Sequence, residues 1–281
     1  LTMKAIYKKE VKSYLTSMIG YVFIFFILLL EGIYFTAYNL QNAYPLFGTT
    51  LSAITFIFLI LVPVLTMKTI AEERKQKTDQ LLLTAPVSVS EIVLGKFLAV
   101  ATVYAIPVVI ICLYPLIMGK YGTVSYGMAY TAVLGFALLG FAQIAVGVFW
   151  SSVTENPVIA AVVTFIVLFV CYMITGIGSL IPDSSMASLA CYMLLVLLAA
   201  VWIYHMIRNL WIAAVIGIAG EAALAITYVV KSTLFEGSIQ KFLAVFDITS
   251  HFDNFTNGIL DLQGVVYFLS VIIIFLVLTV Q

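Results

Sequence analysis

Two acidic residues interrupt long apolar runs: Glu31 within residues 18–39 and Glu221 within residues 210–230. An ionised carboxylate at the centre of a bilayer-spanning helix costs about 2.5–3.5 kcal/mol on the insertion scale, so such groups face protein or water rather than lipid. Glu221 is therefore a candidate substrate or proton site, or else a packing residue among Gly217, Ala219, Gly220 and Ala223, whose small side chains permit close helix contact. Glu31, nearer the end of its run, is expected at the membrane interface with Tyr34 and Tyr38. Gln143 stands between Gly135, Gly140 and Gly147, a pattern that suits a tight helix seam or the lining of a pathway. Other chemistry finds little support. Cys112, Cys171 and Cys191 lie in apolar runs with no CxxC spacing and no neighbouring histidine, so they suggest neither a disulfide framework nor a metal site. Gly95-Lys96 and Gly119-Lys120 lack the upstream glycine and the following Ser or Thr of a phosphate-cradling loop, and neither GxSxG nor HExxH occurs.

The elements that must position these groups follow from composition. Of 281 residues, 64% are hydrophobic and 9% charged, against about 25% charged in a soluble domain. Thirteen Lys and Arg balance thirteen Asp and Glu, so no basic surplus is available to hold nucleic acid. A bilayer crossing takes roughly 20 apolar residues. Runs nearly free of charge cover residues 18–39, 51–70, 94–118, 127–150, 157–180, 187–206, 210–230 and 264–280. The expectation is an all-α polytopic membrane protein with about eight transmembrane helices, a single transmembrane domain over 1–281, and no separate catalytic domain. Residues 3–17 are polar and lysine-rich and do not read as a signal peptide. Either end, Leu1 or Gln281, could be trimmed relative to the natural product.

Cations near span ends favour the cytoplasmic side. With the N-terminus inside, Lys4, Lys8, Lys9, Lys12, Lys68, Arg74, Lys75, Lys77, Lys96 and Arg208 are cytoplasmic, and Lys120, Lys231 and Lys241 are outside. Ten against three supports both that orientation and an even number of spans, with both termini cytoplasmic. Within residues 3–16, Met3, Ile6, Tyr7, Val11, Tyr14 and Leu15 share a face and four lysines lie elsewhere, the pattern of a helix in the interface. Residues 232–262 are expected outside, as short amphipathic helices or as a loop anchored by aromatic residues. His205 and Arg208 read as cytoplasmic anchors.

The densest charge cluster runs from Ala71 through Glu72, Glu73, Arg74, Lys75 and Lys77, then through Thr78 to an apolar cluster at Leu81, Leu82 and Leu83 and a break at Pro86. Ser88 stands three residues before Glu91, a capping-box spacing that can start the third span. Composition alone allows a solvated loop whose charges set topology, or a helix across the membrane surface that offers a ridge to another protein.

The run from Glu72 to Lys96 resembles the signature of ABC-2 type permeases, the membrane subunits of ABC exporters. There, a pair of acids and a base follow the second span, and a stretch like T-x-x-L-L-L-T-x-P-V-S-x-x-E-I-x-x-G-K leads into the third. The matching residues are Glu72, Glu73, Arg74, Thr78, Leu81, Leu82, Leu83, Pro86, Val87, Ser88, Glu91, Ile92, Gly95 and Lys96. The N-terminal helix resembles the family's elbow helix, and Ser250–Leu262 is similar to the same region of gliding-motility-type members. The resemblance implies that residues 71–93 form the coupling loop, with a helix that docks on a separate cytoplasmic ABC ATPase. ATP and Mg would bind in that ATPase, with no cofactor bound directly here and no enzymatic activity of the chain's own. A second permease subunit, identical or related, is implied, and an extracytoplasmic accessory subunit is compatible with it; the setting would be the inner (cytoplasmic) membrane. Two features depart from the family: Lys77 replaces the glycine often found before the threonine, which predicts a shifted or less sharp turn. The run 187–230 also adds an apparent pair to the usual six spans. An ion-coupled secondary transporter using Glu221 and a membrane-embedded enzyme are the alternatives.

Overall fold

The computed structural model describes residues 3–80 and 87–281. Leu81, Leu82, Leu83 and Pro86, expected in the coupling helix, lie outside the described residues. The chain is an all-α polytopic membrane protein. Among the described residues, eight helical segments are long and apolar enough to span: Met18–Gln41, Phe47–Lys75, Val89–Met118, Tyr126–Val153, Pro157–Ser179, Ser185–Ile207, Leu210–Val230 and Leu262–Val280. They are called spans one to eight below. Helix α1, Met3–Thr16, precedes them and covers the residues expected to be helical there.

Two compact units emerge, one formed by Leu1–Val170 with Ile248–Gln281, the other by Cys171–Asp247. In the first, the fourth span is the most enclosed, with 72% of its apolar window buried. Its glycines explain why. A Cβ at Gly140 would collide with the Tyr104 ring, one at Gly147 with the Thr66 side chain, and one at Gly135 with Phe255. The expected seam is therefore real: three neighbours approach the helix backbone directly, as small residues allow between spans. Tyr104 is completely buried, and its hydroxyl donates to the carbonyl oxygen of Phe136 at 2.7 Å. Phe58 and Phe141 pack against its ring edge to face, with centroids 5.7 and 5.4 Å away.

The second span is not one smooth helix. A 3-10 turn at Thr55–Ile57 and Pro63 interrupt it, and the regular helix ends at Thr66. Threonine hydroxyls add bonds to carbonyls beside the break: Thr66 Oγ1 donates to Val62 O and Thr69 Oγ1 to Thr66 O, at 2.9 and 2.8 Å. The third span starts on the capping box read from the sequence: Ser88 Oγ accepts from the Glu91 amide, while the Glu91 side chain accepts from the Ser88 amide at 3.2 Å. Before the last span the chain forms short helices, at Ser250–Phe252 and Asp253–Thr256. Phe252 and Phe255 are fully buried, so the aromatic residues there are core rather than a loose anchor.

In the second unit, spans six and seven form a hairpin joined by two residues. Arg208 takes a left-handed conformation, φ 54°, and Asn209 accepts from the amides of Trp211 and Ile212 at 3.0 and 3.4 Å, capping span seven. Gly217 and Gly220 face Ala200 and Val196 of span six, close enough that a Cβ would stand 3.2 and 2.8 Å from those side chains. Asp247 accepts a hydrogen bond from the Thr175 hydroxyl at the foot of the same unit.

Candidate functional site

The polar groups that converge in this protein lie where α1, the foot of the second span and the start of the third meet. Every fourth residue of α1 is buried: Ile6, Glu10 and Tyr14. Ile6 and the Met3 carbonyl rest on Gly95 of the third span, where an added Cβ would stand 3.3 Å from each. Tyr7 shares a hydrogen bond with Thr102 at 3.0 Å. The Tyr14 hydroxyl donates to Leu65 O at 3.2 Å and lies 3.1 Å from Thr69 Oγ1. Burial pushes its ionisation far above the ordinary tyrosine value, against the opposing pull of the Thr69 hydrogen bond.

Glu10 is the surprise on that stripe. It meets Lys96, a lysine only 1% exposed. The Lys96 ammonium reaches Glu10 Oε1 at 3.2 Å, Glu73 Oε2 at 2.8 Å and the carbonyl of Thr69 at 2.7 Å. Lys9 closes the rim, 3.4 Å from Glu73 and 3.8 Å from Glu10. Two carboxylates and two ammoniums thus form a network in which the buried cation donates to three acceptors. The apolar run puts Lys96 near the start of the third span, which begins earlier at Val89, and gives no hint that Lys96 turns inward. The available signal was Glu10, the one acid in an otherwise basic helix, at i+4 from Ile6 and i−4 from Tyr14.

The acid pair after the second span divides its work. Glu73 turns in to Lys96, whereas Glu72 makes an exposed i,i+4 pair with Lys68 at 3.5 Å, and Arg74 and Lys75 point outward. The helix that carries them, Ala71–Lys75, is only five residues long and owes its direction to Ser151 of the fourth span. Ser151 Oγ accepts from the amides of Ile70 and Ala71, both at 3.1 Å, and donates to Met67 O at 3.2 Å. Lys77 then adopts φ 57°, and Thr78 N donates to Glu73 O at 2.9 Å. The sharp turn expected of a glycine is therefore made by a lysine, correcting the prediction of a looser one. Asp79 and Gln80 begin the next helical turn. A cavity of about 560 Å³ opens beside the network, between α1 and this segment, with Ser13, Tyr14, Lys68, Glu72 and Thr78 on its walls.

The intramembrane candidates lie elsewhere. Glu31 is fully buried, on the face of span one that carries Phe23 and Ile27, while Tyr34 and Tyr38 stack on each other with centroids 5.9 Å apart. Gln143 is 3% exposed. Glu221 lies on the wall of an apolar groove of about 620 Å³ between spans six and seven, with Leu197, Val201, Ala213 and Gly217. Among the described residues, the carboxylate oxygens of Glu31 and Glu221 and the Oε1 of Gln143 have no hydrogen-bond partner. The structure does not bring these three into the Lys96 network, and among the described residues no group of His, Cys, Asp and Glu could hold a metal ion.

Eight apolar spans among the described residues, with a preceding helix tied to the second and third of them, define a multi-pass membrane protein. Residues 31–280 match the ABC-2 family transporter proteins, and the chain belongs to that family. Comparison with curated proteins and with solved structures gives no match.

Proposed function

We propose that this chain is the permease subunit of an ATP-driven ABC exporter, forming half of a substrate pathway whose energy comes from a separate cytoplasmic ABC ATPase. A second permease subunit, identical or related, completes the pathway. ATP and Mg belong to the ATPase; this chain binds no cofactor and catalyses no reaction itself. The protein lies in the cytoplasmic membrane with both termini and the 71–93 loop inside. Family membership supports the transport role. The observation that carries the coupling role is the foot of the second span: a five-residue helix fixed at its start by Ser151 and from its side by Lys96, immediately before a forced turn at Lys77. A segment held that firmly at one end suits a lever, since displacement at its far end reaches the bundle instead of dissipating in a loop.

The test is co-purification of the chain with its soluble ATPase and the ATP turnover of that complex. Charge reversal at Arg74 or disruption at Leu82 is expected to abolish association while leaving the membrane fold intact. Full retention of the ATPase and of coupled turnover by both variants would remove the coupling assignment. Transport that survives an inactive ATPase but fails on Glu221→Gln would instead favour the ion-coupled alternative.

A further inference from the structure

The Lys96 network joins three segments distant in sequence: α1 through Glu10, the foot of the second span through Thr69 and Glu73, and the third span through Lys96 itself. An ammonium has three N–H donors, and here three acceptors stand within 3.2 Å of it. The ammonium is saturated and Lys96 is buried, so a shift of any one segment breaks a bond to it. Removing one partner from such a buried set is strongly unfavourable, whereas apolar side chains of similar volume would hold the same helices together at least as well. Simple anchoring therefore does not require charge. What charge adds is a tie of fixed direction and stoichiometry, made at the residues that lead directly into the 71–80 segment. Tyr14 to Leu65 and Tyr7 to Thr102 run parallel to it, from the same helix to the same two spans.

We infer that Lys96 is the positioning residue that locks α1, the 71–80 segment and the start of the third span into one moving body, so that displacement of the segment by the ATPase also carries the interfacial helix. This rests on the ATPase-coupling reading above. Glu10 is the link to α1, and Glu73 the link to the segment.

The experiment uses the full permease reconstituted in nanodiscs with its ATPase, and compares amide hydrogen exchange in the nucleotide-free state with the state trapped by Mg-ATP and vanadate. In the wild type, trapping is expected to change exchange in peptides covering 71–80 and also in those covering 3–16. Glu10→Leu removes the acceptor that ties Lys96 to α1 while leaving the Tyr7 and Tyr14 hydrogen bonds in place, and is expected to reduce the response of 3–16 at least two-fold while that of 71–80 persists. The neutral triple variant Glu10→Gln, Glu73→Gln, Lys96→Met leaves no buried charge unpaired and gives the same loss at 3–16. An undiminished response of 3–16 in either folded variant overturns the inference. So does a wild type in which 71–80 responds and 3–16 does not, an outcome that needs no variant to fold and leaves the coupling reading standing. If 71–80 itself fails to respond in the wild type, the coupling reading falls and the inference with it.

Discussion

Replacing Ser151 by alanine tests whether one hydroxyl of the fourth span sets the direction of the Ala71–Lys75 helix. Its oxygen is the acceptor for the amides of Ile70 and Ala71 and the donor to Met67 O. Ala71 is 0% exposed, so its orphaned N–H cannot turn to water; Ile70 is half-buried and can do so in part. An unsatisfied buried donor costs about 1–3 kcal/mol. Counting the Ala71 amide in full and the Ile70 amide in part gives a loss of about 2–4 kcal/mol. For a chain of this size that corresponds to a fall in Tm of about 5–12 °C. Thermal unfolding of the detergent-solubilised protein, followed by intrinsic tryptophan fluorescence, reads it directly. Ser151→Cys, a weaker acceptor of similar size, is expected to fall between wild type and alanine. The same change frees the Ala71–Lys75 helix, so tryptic cleavage at the exposed Arg74 and Lys75 should accelerate. A Tm within 1 °C of wild type, together with unchanged cleavage at those two sites, would show that the hydroxyl does not hold the segment and that its direction comes from packing alone.

Gly140→Val drives a branched side chain into the Tyr104 ring, and overpacking of this kind costs about 1–3 kcal/mol; chemical denaturation should show it, and a silent substitution would mean the fourth span can retreat. Lys77→Gly relieves a left-handed residue, φ 57°, a conformation that costs a non-glycine residue about 1–2 kcal/mol; after the added freedom of glycine in the unfolded chain, a gain of a few tenths to about 1 kcal/mol remains, and a fall in stability would contradict the turn. The Asn254 side chain, donating at 2.9 Å, together with the Gln263 amide, holds the Asp261 carboxyl below its usual range. A lowered folded-state value means the contribution is present above the unfolded value of about 4 and lost as pH falls through and below it. Wild type should therefore lose more stability between pH 5 and pH 3 than Asp261→Asn does; parallel losses would dismiss that contribution.

The spans were legible because their signal is local: each is a run without charge, and the eight runs coincide with the eight helices within a few residues except at the long second and third spans. There the charge-free runs stop near Thr69–Ile70 and start only at Leu94, because charged turns of helix extend beyond the apolar core, to Lys75 and from Val89. The cap at Ser88 was legible for the same reason, since both partners lie within four residues. Glu10 was not. Its neighbours Lys8, Lys9 and Lys12 make a solvated residue of it in one dimension, and only Lys96, 86 positions away, makes it a buried one. Lys77 shows the converse case. Its type argues against a left-handed turn, and the hydrogen bond from Thr78 N to Glu73 O overrides that preference.

The lone carboxylates in the spans differ from the Lys96 network in a way that bears on how this protein can work. Glu10 and Glu73 are enclosed beside a cation that matches them, so their charge is held in place and can transmit force. Glu31 and Glu221 have enclosed oxygens and, among the described residues, no hydrogen-bond partner. A carboxylate that passes an ion across a bilayer needs a succession of partners or water along its route, and the groove beside Glu221 offers apolar walls from Met193 to Ala225. Small residues at Gly217 and Gly220 bring spans six and seven together around it. The polar organisation of the chain is thus concentrated at one end of the first unit, where it binds three segments together, and is sparse inside the spans. On the proposed coupling to a surface partner, the group that a displacement would reach first is this network, through Glu73, and not the carboxylates inside the spans.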